Sequence, residues 1–156
     1  MSYNEKYMRR AIALSIRNID NGGGPFGALI VKDGEIIAEG VNRVTRQHDP
    51  TAHAEVVAIR KAARKLGTFD LSGCEIYASC EPCPMCLGAV YWARLDCLYY
   101  GNSKADAKQI GFDDSFIYDE IKIDQEFRKI KTVQYLSDEA ITAFEKWQAK
   151  DDKIAY

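Results

Sequence analysis

Two short segments of the sequence carry side chains that can bind a metal ion and move protons. One is His-x-Glu at residues 53–55, and the other is Pro-Cys-x-x-Cys at residues 82–86. Two cysteines at this spacing can bind one zinc ion as thiolates, and His53 offers a neutral imidazole as a third ligand. Three protein ligands leave the fourth tetrahedral position to water, which is the arrangement of catalytic zinc. The segments therefore predict a zinc-activated water, which is a strong nucleophile near neutral pH.

Glu55 is the candidate proton carrier. It follows His53 by two residues at a predicted helix start, which places its carboxylate near the metal without making it a ligand. Such a group can take a proton from the water, deliver it to a ring nitrogen and then pass it to a departing amine. His-x-Glu followed by Pro-Cys-x-x-Cys, here ending in Cys83 and Cys86, is the signature of zinc deaminases that act on nucleobases. Alone, Glu55 is also consistent with an ordinary acidic residue in a first helical turn.

Two other metal sites are compatible with the same residues. His48 and His53 could close a structural site together with the two cysteines, but His48 lies in a polar loop and Glu55 would then have no role. Cys80 extends the pattern to Cys-x-x-Cys-x-x-Cys, the opening of an iron–sulfur motif. The further cysteine of that motif is absent three residues after Cys86. We therefore expect Cys80 to be a buried thiol.

Composition and charge narrow the class of protein. The chain has 156 residues, 47% of them apolar, which predicts one folded domain over residues 1–156. The formal net charge of −2 argues against a long nucleic-acid interface, and the basic residues 128–131 are too few to change that expectation. No segment has the ~20 apolar residues of a membrane span. The five cysteines, three of them clustered, favour metal binding in a reducing, cytoplasmic compartment.

The hydrophobic pattern predicts helices and strands in the order α-β-β-α-β-α-β-(irregular)-β-α. This order suits a central sheet covered by helices on both faces. The helices are predicted at residues 3–20, from about 54 to 66 with Gly67 as the stop, at 84–93 and from 137 onward. The strands are predicted at residues 26–31, 36–41, 74–79, 95–100 and 130–135.

These features together resemble the cytidine and deoxycytidylate deaminase superfamily, and more narrowly the short zinc-dependent guanine deaminases of bacteria. The resemblance covers nearly the whole chain. Residues 24–28, 49–55 and 79–89 are also similar to tRNA adenosine deaminases and cytosine deaminases. Residues 111–118, Gly-Phe-Asp-Asp-Ser-Phe-Ile-Tyr, are similar to guanine deaminases and discriminate among the three.

The resemblance implies a fold, a cofactor and a reaction. The fold is an α/β/α sandwich of three layers around a five-stranded mixed sheet. One zinc ion is implied in each subunit. The implied reaction belongs to purine salvage or catabolism and hydrolyses guanine to xanthine and ammonia. Zinc-bound hydroxide would attack C2 while Glu55 shuttles protons.

Four residues are candidate contacts for the purine. Asp114 can accept the N–H donors along one edge of guanine, although it could equally cap a short helix. Asn42 resembles the asparagine that recognises the base in this superfamily, with a turn residue as the alternative. Phe26 can stack on the ring or pack in the core. The backbone N–H of Ala54, near a helix start, can donate to a substrate oxygen.

The C-terminus is a further candidate. The resemblance implies a homodimer in which the last helix and tail, about residues 137–156, are exchanged with the partner subunit. Tyr156 would then help to close a substrate pocket. Fraying is the ordinary behaviour of terminal residues.

Three other functions remain open from the sequence. A tRNA adenosine deaminase would use the same metal chemistry, but the Asn-His-Arg stretch of that family is absent after the cysteines and the charge is acidic. A cytosine deaminase differs only in its pocket. A zinc-stabilised binding module without catalysis is the non-enzyme alternative.

Overall fold

The computed structural model describes residues 3–156, which fall into a first unit that ends at Ser115 and a second unit, Phe116–Tyr156. The elements of the first unit are α1 (Glu5–Asp20), β1 (Gly27–Lys32), β2 (Glu35–Val41), α2 (Val44–Gln47), α3 (Ala54–Leu66), β3 (Cys74–Cys80), α4 (Pro84–Trp92), β4 (Cys97–Asn102) and α5 (Lys104–Gln109). The elements that follow are α6 (Ser115–Lys122), a 3-10 turn (Gln125–Phe127) and α7 (Ser137–Gln148).

The sheet of the first unit is mixed, as the family resemblance implies. Its strands lie in the order β2-β1-β3-β4. β1 is antiparallel to β2 and to β3, whereas β3 and β4 are parallel and are joined through α4. Parallel neighbours need such a crossover, because a tight turn cannot reverse the chain between them.

The predicted fifth strand at residues 130–135 is wrong for this structure, in which the described residues form four strands. Its β-branched and aromatic residues suggested a strand, but Ile130, Val133 and Tyr135 are all exposed. Such residues favour a strand because they fit a half-buried pleated surface that has a hydrogen-bonded neighbour. Residues 130–135 have no strand neighbour here, so their composition alone does not produce a strand.

Helices cover both faces of the sheet, which confirms the predicted three layers. Successive residues of a strand point to opposite faces. On β1, Ala28 and Ile30 pack with Ala58 of α3 and with α4, while Leu29 and Val31 pack with α1. Because β1 and β3 are covered on both sides, nearly all of their residues are buried.

Two glycines let helices approach the sheet closely. A side-chain carbon on Gly40 of β2 would lie 2.1 Å from the backbone oxygen of Ala54 and 2.6 Å from the backbone nitrogen of Ala58, both in α3. A side-chain carbon on Gly27 of β1 would lie 2.5 Å from the backbone oxygen of Ala11 in α1. Real side-chain carbons do not fit at these distances. Gly40 therefore fixes the position of α3, the helix that follows His53.

Three strands end at the same edge of the sheet. Val41, at the end of β2, lies opposite Gly27, and Cys80, at the end of β3, lies beside Asn102 at the end of β4. The start of α3 and the start of α4 are attached to this edge through the short segments that follow β2 and β3. Ligands of α/β sheets commonly bind outside such strand ends.

The second unit consists of short helices and extended segments. None of its described residues is buried. Its exposed large hydrophobic side chains include Phe116, Ile121, Phe127, Ile130, Phe144 and Ile154. Across residues 3–156, no helix combines the length and the apolar content that crossing a membrane requires.

Candidate metal centre and substrate cavity

His53 is held at the start of α3 by an ordered turn. The carboxylate of Asp49 accepts hydrogen bonds from the backbone N–H of Thr51 at 2.8 Å and from its hydroxyl at 2.7 Å. The backbone N–H of Arg43 donates to the carbonyl of Ala52 at 2.9 Å, which ties the turn to the residues after β2. His53 is the N-cap residue, with extended backbone, and its side chain makes no capping hydrogen bond. The imidazole is therefore free to face the other ligands.

The two cysteines flank the first turn of α4. Cys83 is the N-cap residue in an extended conformation, and Cys86 is the third helical residue. Pro84 occupies the first helical position, where its missing N–H costs nothing and its fixed φ suits a helix. The positive end of the helix dipole favours thiolate over thiol at this location.

The three candidate ligand atoms lie at distances that suit zinc. The Nδ1 atom of His53 is 3.5 Å from the Sγ atom of Cys83 and 3.5 Å from the Sγ atom of Cys86. All three ligand atoms lie within 4.8 Å of one another. Zn–N and Zn–S bonds of about 2.0 and 2.3 Å at a tetrahedral angle place N and S about 3.5 Å apart. The geometry and the donor set both fit one zinc ion.

The pKa values of the two cysteines are shifted in opposite directions. The Cys86 thiol donates a hydrogen bond to Cys83, and this contact, with help from His53, lowers the pKa of Cys83 to about 4. The same contact, together with burial, raises the pKa of Cys86. A second thiolate beside the first is unfavourable without a positive charge between them. A zinc ion held by these residues would supply that charge, and its binding would release the remaining proton.

The other candidate ligands lie outside this cluster. His48 is an exposed residue with left-handed backbone, φ 49°, at the end of α2. Cys80 is buried, and its Sγ atom donates to the carbonyl of Ser103 at 3.7 Å. Burial raises the pKa of Cys80 to about 11, which favours its thiol form. The group of His53, Cys83 and Cys86 therefore has three ligands and keeps one coordination position open.

Glu55 is buried beside the three ligands. It is the second residue of α3, its side chain is 8% exposed, and it lines the same cavity as His53 and Cys83. Burial raises the pKa of its carboxyl group, because the charged form loses solvation. A carboxyl group in this position can exchange protons with a water at the open coordination position.

The cavity next to these residues is large enough for a purine base. Its volume is about 430 Å³, within the range of roughly 300–1,000 Å³ that small-molecule sites occupy. The predicted contacts Phe26, Asn42 and Asp114 all line it. Three separate parts of the sequence thus meet at the metal centre.

Asp113 and Asp114 have different surroundings. Asp113 accepts hydrogen bonds from Ser115, pairs with Lys108 at 3.0 Å and has a pKa lowered to about 2 by these contacts. Asp113 therefore forms the turn before α6. Capping this helix was the alternative role for Asp114. Burial raises the pKa of Asp114, whose side chain lines the cavity.

The remaining predicted contacts differ in their placement. Asn42 is buried, and its backbone carbonyl accepts a hydrogen bond from the Asn18 side chain at 2.9 Å. Ala54 is buried as the first residue of α3, where backbone N–H groups have no acceptor within the helix. Tyr156 belongs to the second unit, where its side chain is 73% exposed.

The sequence interpretation missed several cavity residues, among them an aromatic residue and an ion pair. Phe112 meets Phe26 edge-on, with ring centroids 4.9 Å apart, and both rings line the cavity. Glu81 and Lys104, joined by an ion pair of 3.6 Å, also line it. Phe112 could have been found, because it directly precedes Asp113 in the stretch that resembles guanine deaminases. The ion pair depends on the parallel pairing of β3 with β4, which residue patterns do not reveal.

The fold and the metal centre together define a zinc-dependent deaminase domain. Residues 1–102 match the family described as the cytidine and deoxycytidylate deaminase zinc-binding region. The chain belongs to this family. Zinc is accordingly its cofactor, and the cluster of His53, Cys83 and Cys86 is a possible site for it.

Within the family, the chain is similar to guanine deaminase from Bacillus subtilis. The two sequences are 52% identical over 153 residues, which are 97% of this chain and 98% of the relative. The X-ray structure of guanine deaminase from Bacillus subtilis superposes with a TM-score of 0.96 and covers 99% of both chains at 51% identity. The tRNA-specific adenosine deaminase of Aquifex aeolicus is 45% identical, but over 59% of this chain and 61% of its own length.

Proposed function

We propose that this protein hydrolyses guanine to xanthine and ammonia. The observation that carries the proposal is the meeting of the three-ligand cluster, Glu55 and Asp114 around one cavity of purine size. The likeness to a guanine deaminase over nearly the full length of both chains supports the same substrate, because the likeness to a tRNA deaminase covers a smaller part.

Bound zinc supplies an activated water as the nucleophile. The chain's own residues then place the base and move the protons. Glu55, buried at the cavity wall, takes one proton from the water and gives it to a ring nitrogen beside C2. It then takes the second proton from the hydroxyl group added at C2 and gives it to the leaving amine, as the carbonyl of xanthine forms. The balance is one guanine and one water consumed, with one xanthine and one ammonia released.

Four contacts orient the base in this proposal. The Asp114 carboxylate accepts the N–H donors along one edge of guanine, which neither adenine nor cytosine presents in the same pattern. The amide of Asn42 bonds the base from the end of β2, and the Ala54 N–H donates to a substrate oxygen. Phe26 stacks on the purine, and Phe112 meets Phe26 edge-on at 4.9 Å.

The test is a comparison of substrates with the purified, zinc-loaded chain. Ammonia release is measured on guanine, adenine, cytosine, cytidine and a tRNA anticodon stem-loop. We expect kcat/KM for guanine to exceed every other value by at least about 100-fold. Preference for the stem-loop or for cytosine would reassign the substrate, and zinc binding without turnover on any of them would favour a binding module.

We further propose that residues 1–156 act as one domain in a cytoplasmic homodimer that exchanges residues 137–156. The second unit buries none of its described residues, and its large apolar side chains include Ile130, Phe144 and Tyr156. A segment without buried apolar surface cannot offset the entropy of its own ordering. Surfaces of this kind mark sites of protein association. Tyr156 closes the partner's pocket in this arrangement.

Complementation between subunits tests the exchange. One chain carries Glu55→Gln, and the other lacks residues 153–156. Each homodimer should be nearly inactive, whereas a randomly mixed population should regain about a quarter of the normal activity, from one complete site in each heterodimer. Absence of recovery in a verified heterodimer, or a solution mass equal to the 17.6 kDa chain, would contradict the proposal.

A further inference from the structure

The first unit has a second cavity that is rich in positive charge. Its volume is about 240 Å³, and it lies between the end of α1, β2, α2 and α3. Four basic side chains from different elements line it. They are Arg17, Arg43, Arg46 and Lys61. Glu39 is the one carboxylate among the described residues that line the cavity.

Glu39 can offset only one of these four positive charges, and the hydrogen bonds of its carboxylate go to Arg10. The guanidinium of Arg10, outside the cavity lining, donates to both of its carboxylate oxygens, at 2.6 and 2.9 Å. A bidentate pair of this kind uses the acceptor directions of the carboxylate that face the arginine. The cavity therefore keeps a surplus of positive charge.

Arg43 provides the second observation. Its Nε atom is buried and has no hydrogen-bond partner among the described residues. A buried donor without an acceptor is costly, more so when it carries charge. Arg43 follows Asn42 at the end of β2, and its backbone N–H is bound to Ala52. The backbone is thus fixed while the Nε–H group of the side chain lacks an acceptor among the described residues.

Lys61 shows that the cations act on one another. Its Nζ atom donates to the backbone carbonyl of Glu39 at 2.8 Å. Burial, together with repulsion from the Arg43 guanidinium, lowers the pKa of Lys61. An anion between these two side chains would remove the repulsion and supply the missing acceptor.

We propose that this cavity binds a phosphate-type dianion, either free inorganic phosphate or the phosphate group of a nucleotide. Arginine presents its N–H donors in a planar fork that fits phosphate oxygens, and three arginines line the cavity with one lysine. The volume is below the roughly 300 Å³ at which pockets begin to hold drug-sized ligands, so a phosphate group fits and a whole nucleotide does not. A nucleotide would keep its base outside.

The phosphate site is separate from the metal centre. No residue lines both cavities. Asn42 belongs to the metal-side cavity, and the adjacent Arg43 belongs to the basic one. Phosphate should therefore bind equally well when the zinc ligands are changed.

The experiment is a calorimetric titration of the full chain with inorganic phosphate, with ionic strength held constant by chloride. We expect saturable binding near one phosphate per chain. Arg43→Gln should weaken it at least tenfold, whereas Arg64→Gln, an equal change of charge at an exposed site of α3, should leave it within twofold. His53→Ala should retain the affinity. Absence of saturation, equal weakening by the two arginine variants, or loss of binding in His53→Ala would overturn the proposal.

Three further measurements guard against misfolding and separate the two sources of phosphate. Arg46 is exposed, so Arg46→Gln should fold normally and still weaken phosphate binding several-fold. The Nε–H resonance of Arg43 should shift on phosphate addition in the unaltered chain, and an unmoved resonance would overturn the proposal. Guanosine 5′-monophosphate binding tenfold tighter than phosphate would identify a nucleotide as the source, and equal affinity would identify free phosphate. Both results support the site.

Discussion

Asp113 and Asp114 are adjacent in the chain and both line the cavity, yet the Asp113 carboxylate is exposed and bound by Ser115 and Lys108, whereas Asp114 is the more buried of the two. Their opposite pKa shifts follow from this difference. Hydrogen bonds lower the pKa of Asp113 to about 2, whereas burial raises the pKa of Asp114. The two neighbouring carboxylates therefore form a matched pair for substitution, in which the hydrogen-bonded Asp113 serves as the control for the proposed substrate contact Asp114.

Asp114→Asn should lower kcat/KM for guanine by about 10- to 100-fold, because a hydrogen bond to a charged group contributes about 1.5–3 kcal/mol. Steady-state kinetics of xanthine formation measures the effect. Asp113→Asn is the control. It should lower thermal stability slightly and leave kcat/KM within about threefold of the normal value. If both variants lose activity equally, Asp114 has no special role in recognition.

The cluster of candidate metal ligands could be predicted from the sequence because the position of each residue depends on local structure. His53 and the two cysteines lie at helix starts. Turn and cap residues such as Asp49, Thr51 and Pro84 indicate those starts in the sequence. Gly67 likewise ends α3 with left-handed backbone, φ 67°, as predicted. In local patterns of this kind the hydrogen-bond partners are close in sequence, so the patterns can be recognised without the tertiary fold.

Features that depend on distant residues could not be predicted in this way. Residues 130–135 have the composition of a strand but lack a neighbour to pair with in the structure. Phe112 reaches Phe26 across 86 positions of the chain, and the basic cavity collects side chains from α1, α2 and α3. Such contacts arise when helices and strands pack together, and the residues that meet have no fixed spacing in the sequence.

The zinc content of two cysteine variants tests the ligand set. Cys83→Ser should reduce bound zinc from about one ion per chain to a small fraction, since it removes one of three protein ligands. Cys80→Ser, three positions earlier and outside the cluster, should retain the metal. Metal analysis by mass spectrometry gives the result directly. Loss of zinc in both variants, or in Cys80→Ser alone, would contradict the three-ligand assignment.

The pair of Arg10 and Glu39 predicts a pH dependence of stability. The hydrogen bonds from Arg10 lower the pKa of Glu39 below its usual 4.5 in the folded chain, with burial opposing. A lowered folded-state pKa means that this stabilisation is fully present above pH 4.5 and is lost as the pH falls through the folded-state value. Arg10→Gln should therefore reduce the free energy of unfolding by about 1 kcal/mol or less at pH 7.

Urea denaturation in phosphate-free buffer, from pH 7 down to pH 3, measures this difference. The gap between the original chain and Arg10→Gln should narrow once the pH passes below 4.5. Arg9→Gln removes the same charge from a more exposed pair with Glu5 and should show a smaller gap. A gap for Arg10→Gln that stays constant over the whole range would show that the ion pair does not cause it.

The most direct test of the proposed chemistry is the rate of xanthine formation by Glu55→Gln at full zinc occupancy. Glutamine keeps the size of the side chain but cannot carry the proton, so kcat should fall by about 100- to 10,000-fold while zinc stays at one ion per chain. Near-normal turnover with zinc bound would contradict the assignment of Glu55 as the proton carrier, and loss of zinc would show that Glu55 serves the metal instead.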